Sequence, residues 1–163
     1  IKEYNPYIWI HEIVTILFKR SRKKRRTSKL TGQPIYTRGE LNKSLWQWFS
    51  LFIRRRDRMC LMGEMWGGCW GYLQAGHVIP RGKKPTELDE TNVYGQCQFH
   101  NSRHRYNPDP YKAWFVRQFG GETYTNLVEK SEGSWKVRTL PELTRLTAHY
   151  RQKALQLQPL DTE

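Results

Sequence analysis

Five residues in the middle of the chain, His77, Asn92, Cys97, His100 and Asn101, combine side-chain types that serve two different kinds of metal chemistry. An imidazole titrates near neutrality, so a neutral His77 can take a proton from water at physiological pH. The carboxamide oxygen of Asn101 is a hard donor suited to magnesium or manganese. Hydrolysis of a phosphodiester needs such functions together: an activated water, an electrophilic cation on the phosphate and leaving oxygen, and a scaffold that holds both in line. The sulfur donors point to a second metal. Cys60, Cys69, Cys97 and His100 form two pairs, and three thiolates with one imidazole are a donor set for a closed structural zinc. The second pair has the tight C-x-x-H spacing, whereas eight residues separate the first pair. The bland alternative is a set of ordinary buried thiols with a capping histidine. Three cysteines are an odd number, which argues against a disulfide framework and for a reduced, intracellular setting.

Twenty-eight Lys and Arg against fifteen Asp and Glu give a formal charge of +13, a field that attracts polyanions. Nucleic acid fits this better than a membrane surface, because the longest apolar stretch, Tyr7 to Phe18, is broken by His11 and Glu12 and is too short to cross a bilayer. No signal-peptide cleavage pattern follows that stretch, so a secreted protein is not expected. The length, 163 residues, suits one principal core. The expected division is an amino-terminal helix with a basic arm and linker over 1–39, and a folded domain over 40–163.

Within the first part, Ile8, Ile13, Ile16 and Leu17 suggest a short amphipathic helix over about 8–19. From Lys19 to Lys29 eight of eleven residues are cations, a density that resists compaction unless phosphates neutralise it. Arg22, Lys23, Lys24, Arg25 and Arg26 are therefore candidate nucleic-acid contacts, although a solvated or localisation-type charge run has the same composition. Thr31 to Gly39 reads as a linker. The second helix follows: Leu41, Leu45, Phe49, Phe52 and Ile53 trace one face, and Arg54, Arg55 and Arg56 load its last turn, where they suit the helix dipole and can meet phosphates. Trp46 and Trp48 read as core or partner-facing residues rather than base-stacking ones.

A Gly-rich knuckle over 60–73 carries Cys60 and Cys69 and suits a tight turn rather than a regular element. Two strands are expected, Leu73 to Pro80 and Asn92 to Gln96, joined by the loop Arg81 to Thr91. A short helix should open after His100, another should run from about Tyr111 to Phe119 and end at Gly120-Gly121, and a last one should start at Thr139, with Pro141 close behind its cap. Leu143, Leu146, Tyr150, Ala154 and Leu157 form the buried stripe of that last helix. The fold class is α+β: a small zinc-stapled ββα-metal hairpin flanked by helices.

The order His77, Asn92, Asn101, with Asn92 fifteen positions after His77 and Asn101 nine after Asn92, resembles the HNH-type ββα-metal hairpin. That resemblance implies His77 as general base, Asn92 as the residue that fixes its imidazole, and Asn101 as ligand of one divalent cation, so that the imidazole and two carboxamides converge around the ion. Many HNH sites place Asp or His just before the base, where this chain has Gly76. Gln74, on the same side of the strand, and His104 are the candidates to fill that gap. More of the chain resembles the bacteriophage lambda NinG/Rap recombination protein family, which contains HNH-like endonucleases acting on branched DNA. The similarity lies in WFSLFIRRRD at 48–57, AGHVIPRG at 75–82, NVYGQC at 92–97 and the segment Trp135 to Leu157, about residues 45–157 in all. The first 40 residues carry no such resemblance. Gly63 stands where that family's second knuckle cysteine is expected, with Cys69 as substitute after an insertion, and His100 replaces the fourth cysteine.

The resemblance implies a metal-dependent DNA endonuclease or nickase of phage-type recombination, with catalytic Mg2+ or Mn2+ and structural Zn2+. The zinc clip would hold the helix that carries Asn101 in place. Arg81, Lys83 and Lys84 in the hairpin loop would grip the DNA backbone, positioning without reading sequence. Branched or junction DNA is the expected partner, a homodimer or larger nucleoprotein assembly is reasonable, and the location would be the bacterial host cytoplasm if the chain is phage-encoded. Two alternatives stay open: a homing or defence HNH nuclease, and a non-catalytic zinc-containing nucleic-acid-binding component of a larger assembly.

Overall fold

In the computed structural model of the protein, residues 36–157 are described. The expected amino-terminal helix, the basic arm with Arg22, Lys23, Lys24, Arg25 and Arg26, and most of the linker lie outside them. Arg38 and Gly39, read from sequence as the end of the linker, already belong to the first helix, α1, Arg38–Asp57. Its predicted stripe is correct: Leu41, Leu45, Phe49, Phe52 and Ile53 are all buried. Phe49 and Ile53 are fully enclosed, and burying side chains of that size stabilises a fold by ~1.5–3 kcal/mol each.

The knuckle contains one helical turn, α2, Gly63–Trp66. Two strands follow, β1 Leu73–His77 and β2 Val93–Cys97, paired antiparallel with Gln74 opposite Gln96 and His77 opposite Val93. The first strand stops at His77, short of the expected Pro80: the Val78 N–H still reaches the Asn92 carbonyl, but the Ile79 N–H turns to the Asn92 side chain instead of continuing the ladder. The hairpin runs directly into α3, Gln98–His104. That helix opens before His100, since Cys97 serves as its N-cap and its sulfur accepts the His100 backbone N–H. Then come α4, Asp109–Phe119, and α5, Gly121–Ser131. Gly120, at φ 88°, makes the break between them, a conformation that suits a residue without Cβ. Helix α5 was not expected; Leu127 and Ser131 are its only buried residues, too few to print a period on the sequence. The last helix, α6, Leu140–Gln156, starts as predicted: Thr139 and Glu142 form a reciprocal capping box.

The hairpin lies between two apolar clusters. Ala75 and Val93 pack on α1 and on Leu143, Tyr150 and Ala154 of α6. Tyr94 packs with Tyr111, Trp114, Phe115 and Leu127 of α4 and α5 on the other side. Strand alternation explains this, since neighbouring residues of a strand face opposite ways. The end of α1 clamps the free edge of β2. Arg56 donates to the Val93 and Glu90 carbonyls at 2.8 and 3.0 Å and to both Asp57 carboxylate oxygens, while Asp57 accepts the Gly95 N–H at 2.6 Å. The RRRD phrase thus fixes where the hairpin sits on its helix. Among the described residues no helix is long and apolar enough to cross a membrane.

Candidate active site and metal centre

The structure brings Cys60, Cys69, Cys97 and His100 together. Their donor atoms all lie within 4.8 Å of one another, and His100 Nδ1 is 3.3, 3.6 and 3.3 Å from the sulfurs of Cys60, Cys69 and Cys97. A tetrahedral zinc with Zn–S near 2.3 Å and Zn–N near 2.05 Å requires S···N separations of about 3.5 Å, so the four donors fit that ion. The loose spacing of the first pair is resolved by geometry. A Cβ built on Gly63 would lie 2.8 Å from Cys69 Sγ, so the sulfur of residue 69 occupies the space that a side chain at 63 would need. Cys69 is exposed as a residue, yet its sulfur turns inward. Burial, and then the neighbouring Cys60 thiol, push its pKa up to about 12. Without a metal the Cys69 thiol therefore holds its proton, and a cation must displace it. Burial, then the Arg103 guanidinium, lowers the His100 pKa and keeps the ring in its neutral, ligating form.

His77 closes β1 on the α1 side of the hairpin. Its ring is buried, stacked at 5.4 Å on Trp46, and Arg81 in turn lies 3.9 Å above the Trp46 ring. Nε2 is 2.9 Å from the Glu87 carbonyl oxygen. A carbonyl only accepts, so Nε2 carries the proton and Nδ1 keeps the lone pair. Nδ1 has no hydrogen-bond partner among the described residues. Burial is the main cause of a lowered His77 pKa, and nearby Arg81 and Lys84 add to it, against the Glu87 carbonyl and carboxylate. The ring is thus a neutral imidazole of defined tautomer.

Asn92 makes no hydrogen bond to that ring, contrary to its expected role. It is fully buried, and all its hydrogen bonds go to loop backbone: Oδ1 accepts from Ile79 N at 2.7 Å, and Nδ2 donates to the Ile79 and Thr86 carbonyls, both at 3.0 Å. Its action on His77 is indirect, because the loop it closes presents the Glu87 carbonyl next to Thr86.

Asn101 is oriented from β1. It hydrogen-bonds through Nδ2 to Gln74 Oε1 at 2.5 Å, on the face of β1 that carries Gln74 and Gly76. The His77 ring stacks on Trp46 of α1, on the other side of the strand, and is near enough to His104 on α3 to act on it electrostatically. Beside Asn101 lies a separate cluster. Gln96, opposite Gln74, is fully buried, and neither of its amide atoms has a partner. His104 lies edge-on to Tyr111 at 4.6 Å, and the Tyr111 hydroxyl donates to the Gly76 carbonyl at 3.1 Å. Burial, then the proximity of His77, lowers the His104 pKa. Gln96, His104 and Tyr111 line one cleft of about 230 Å³. Gln74 spends its oxygen on Asn101, so it positions that amide rather than offering a ligand.

Several cations read as nucleic-acid contacts are engaged within the protein. Arg55 donates to the Ala154 carbonyl at 2.6 Å, at the carboxyl end of α6, and Arg56 holds the β2 edge. Arg54 Nε bonds the Ser50 carbonyl one turn back. In the loop, Arg81 and Lys84 pair with Glu87 at 3.3 and 3.0 Å, and Lys83 pairs with Glu132 at 2.7 Å. Burial favours protonation of Glu87, but Lys84 and Arg138 outweigh it and hold its pKa below the usual value. Arg81, Lys84 and Arg138 pair with this one carboxylate in a cleft that Arg38, Trp46 and Trp135 also line. Sequence reasoning missed Glu87 and Gln96. No local pattern marks either, although a hairpin register would have set Gln96 opposite Gln74.

A hairpin running straight into a helix, with a Cys3His set tying the preceding knuckle to that helix, defines a ββα protein able to hold a structural metal such as zinc. Residues 16–159 match the family described as bacteriophage lambda NinG protein, and the chain belongs to that family. The match begins at residue 16, inside the segment expected to show no resemblance. Comparison with curated proteins and with solved structures finds no match.

Proposed function

We propose that the chain is a divalent-metal-dependent DNA endonuclease or nickase that hydrolyses phosphodiester bonds, acting on branched DNA in phage recombination. The observation that carries this reading is His77: a buried, neutral imidazole whose Nε2–H is held by the Glu87 carbonyl, leaving Nδ1 as the basic nitrogen. In the proposed step Nδ1 takes a proton from water as the water oxygen bonds to phosphorus, and the bond from phosphorus to the leaving oxygen breaks. A hard cation beside Asn101 would supply charge stabilisation for that oxygen. Membership of the NinG family supports the phage setting.

The cleft around Glu87 supports backbone binding. Its ion pairs are partly exposed, with Arg81 and Lys84 side chains at 48% and 44% exposure. Pairs of that kind contribute little, so a phosphate can replace the carboxylate. Contacts of this type follow DNA shape rather than sequence. A second reading, a binder that does not cut, is favoured by one observation: His77 and Asn101 lie on opposite faces of β1.

Incubation with supercoiled plasmid, linear duplex and a four-way junction, with Mg2+ or Mn2+, separates the two readings. The nuclease reading expects cutting that His77→Ala lowers by about 10²–10⁴-fold, while junction binding and zinc content stay unchanged. No cutting by the intact chain with either metal on any substrate would leave the binder.

A further inference from the structure

Gly76 leaves an unusual vacancy beside the candidate base, and a second residue fills it. A Cβ built on Gly76 would overlap Gln96 Oε1 outright, and would lie 2.7 Å from Gln96 Cδ and 3.0 Å from Asn101 Oδ1. Two carboxamides therefore point at the spot where a side chain of residue 76 would begin. The glycine is required for this, since any larger residue would expel the Gln96 amide.

The state of that amide is the second observation. Gln96 has no exposed surface, sits directly opposite Gln74 in the hairpin, and leaves both its oxygen and its nitrogen without a partner. Buried polar atoms nearly always find a hydrogen bond, because desolvation without one is costly. An unpaired buried amide that faces another amide oxygen marks a place for a ligand. Asn101 is already turned for this role: its Nδ2 is occupied by Gln74 Oε1, which directs Oδ1 towards Gly76. His104, neutral and lining the same cleft as Gln96, adds an imidazole nitrogen. Oxygen donors of this kind select a hard divalent cation over a soft one. They also differ in kind from the thiolate set at Cys60, Cys69 and Cys97.

We infer that Gln96 is a ligand of a hard divalent cation, held with Asn101 Oδ1, and that it supplies from β2 the donor that residue 76 of β1 lacks. This rests on the proposed nuclease reading only for its purpose; the binding itself does not require cleavage. All of these donors are neutral, so the site should bind the free cation weakly and gain affinity once a DNA phosphate adds negative charge.

The test uses the zinc-loaded full chain and MnCl2, with free Mn2+ followed by electron paramagnetic resonance. Gln96→Leu should weaken Mn2+ binding by about tenfold or more and leave zinc content unchanged. In the absence of Mn2+ it should also melt no lower than the parent, because it removes two unpaired polar atoms. Gln96→Glu, which keeps the shape and adds a charge, should tighten Mn2+ binding, and it decides the question if the leucine variant does not fold. Combining Gly76→Asp with Gln96→Ala moves the donor across the hairpin and should restore binding that Gln96→Ala alone loses. Mn2+ affinity that is the same in the parent, Gln96→Leu and Gln96→Glu would overturn the inference. Gln96-dependent Mn2+ binding without any DNA cutting would sink the nuclease reading and leave this one standing. Cutting with Mn2+ affinity indifferent to residue 96 would do the reverse.

Discussion

Cys69 Sγ stands 2.8 Å from the point where a Cβ of Gly63 would be. A thiol six positions away in sequence has thus taken the space of a missing side chain, and it completes a four-donor cluster with Cys60, Cys97 and His100. The intervening turn folds back through Gly67 and Gly68, both at positive φ, which explains why the spacing of the pair looks too long on paper.

That relationship predicts a transplant. Cys69→Ser should lose most bound zinc and lower the melting temperature, and adding Gly63→Cys to it should recover zinc, because the new sulfur starts from the vacated space. Gly63→Ala alone should weaken zinc binding by crowding the Cys69 sulfur. Zinc per chain, with melting curves taken with and without a chelator, checks all three. Cys97→Ala should be the most damaging, since it removes a zinc ligand and the side chain that caps α3; equal melting of this variant and the parent in chelator-free buffer would contradict the clip.

Asn92 predicts a loss that is structural first and catalytic second. Asn92→Ala leaves one loop amide and two carbonyls unpaired in a buried site. At about 1 kcal/mol or more for each unpaired group, the cost should be on the order of 3 kcal/mol in urea denaturation. Cleavage should fall with it, because the displaced loop no longer presents the Glu87 carbonyl to His77. A variant of parental stability would show that Asn92 does not hold the loop.

The clamp at the end of α1 predicts that Asp57→Ala destabilises the domain by about 2–4 kcal/mol, as it removes the acceptor of the Gly95 N–H and the partner of Arg56. Arg56→Lys should also be damaging, since one ammonium cannot reach two carbonyls and a carboxylate in the same fork. If Arg56 instead served DNA binding, Arg56→Lys would keep its melting point and lose affinity for duplex.

His77 sets a pH signature. Its pKa lies below the ordinary 6.5, so the cleavage rate should climb with pH to a plateau whose midpoint falls under 6.5. The same shift bears on stability. As pH drops through 6.5 the unfolded chain binds protons at residues 77 and 104 before the folded one does, so stability is full above that pH and declines below it, down to the folded pKa values. Denaturant midpoints at pH 7.5 and 5.5 should differ in that sense, and less so in His77→Gln. A midpoint that rises on acidification would contradict the burial of these rings.

Much of this is legible in the sequence. The stripe Leu41 to Ile53 and the Thr139 cap are written in local periodicity and capping chemistry, which depend on near neighbours, and the hairpin around residues 73–97 is legible in the motif order that resembles the HNH hairpin. The zinc ligands could be named as types, because few side chains bind a soft cation. What the sequence did not reveal was partnership. Cationic residues look alike in a string: only packing shows that Arg56 grips a strand edge, Arg55 a helix end, and Arg81 a tryptophan ring. Asn92 looked like a neighbour of the imidazole and proved to be a neighbour of the loop. The Gly76 vacancy filled by Gln96 was decided by tertiary structure alone, whereas Cys69 is named from the sequence as the substitute at Gly63 and only its path into that space is tertiary. The space left by a missing side chain is claimed by whichever residue the chain's return path carries there, and that path is set by contacts between elements far apart in sequence.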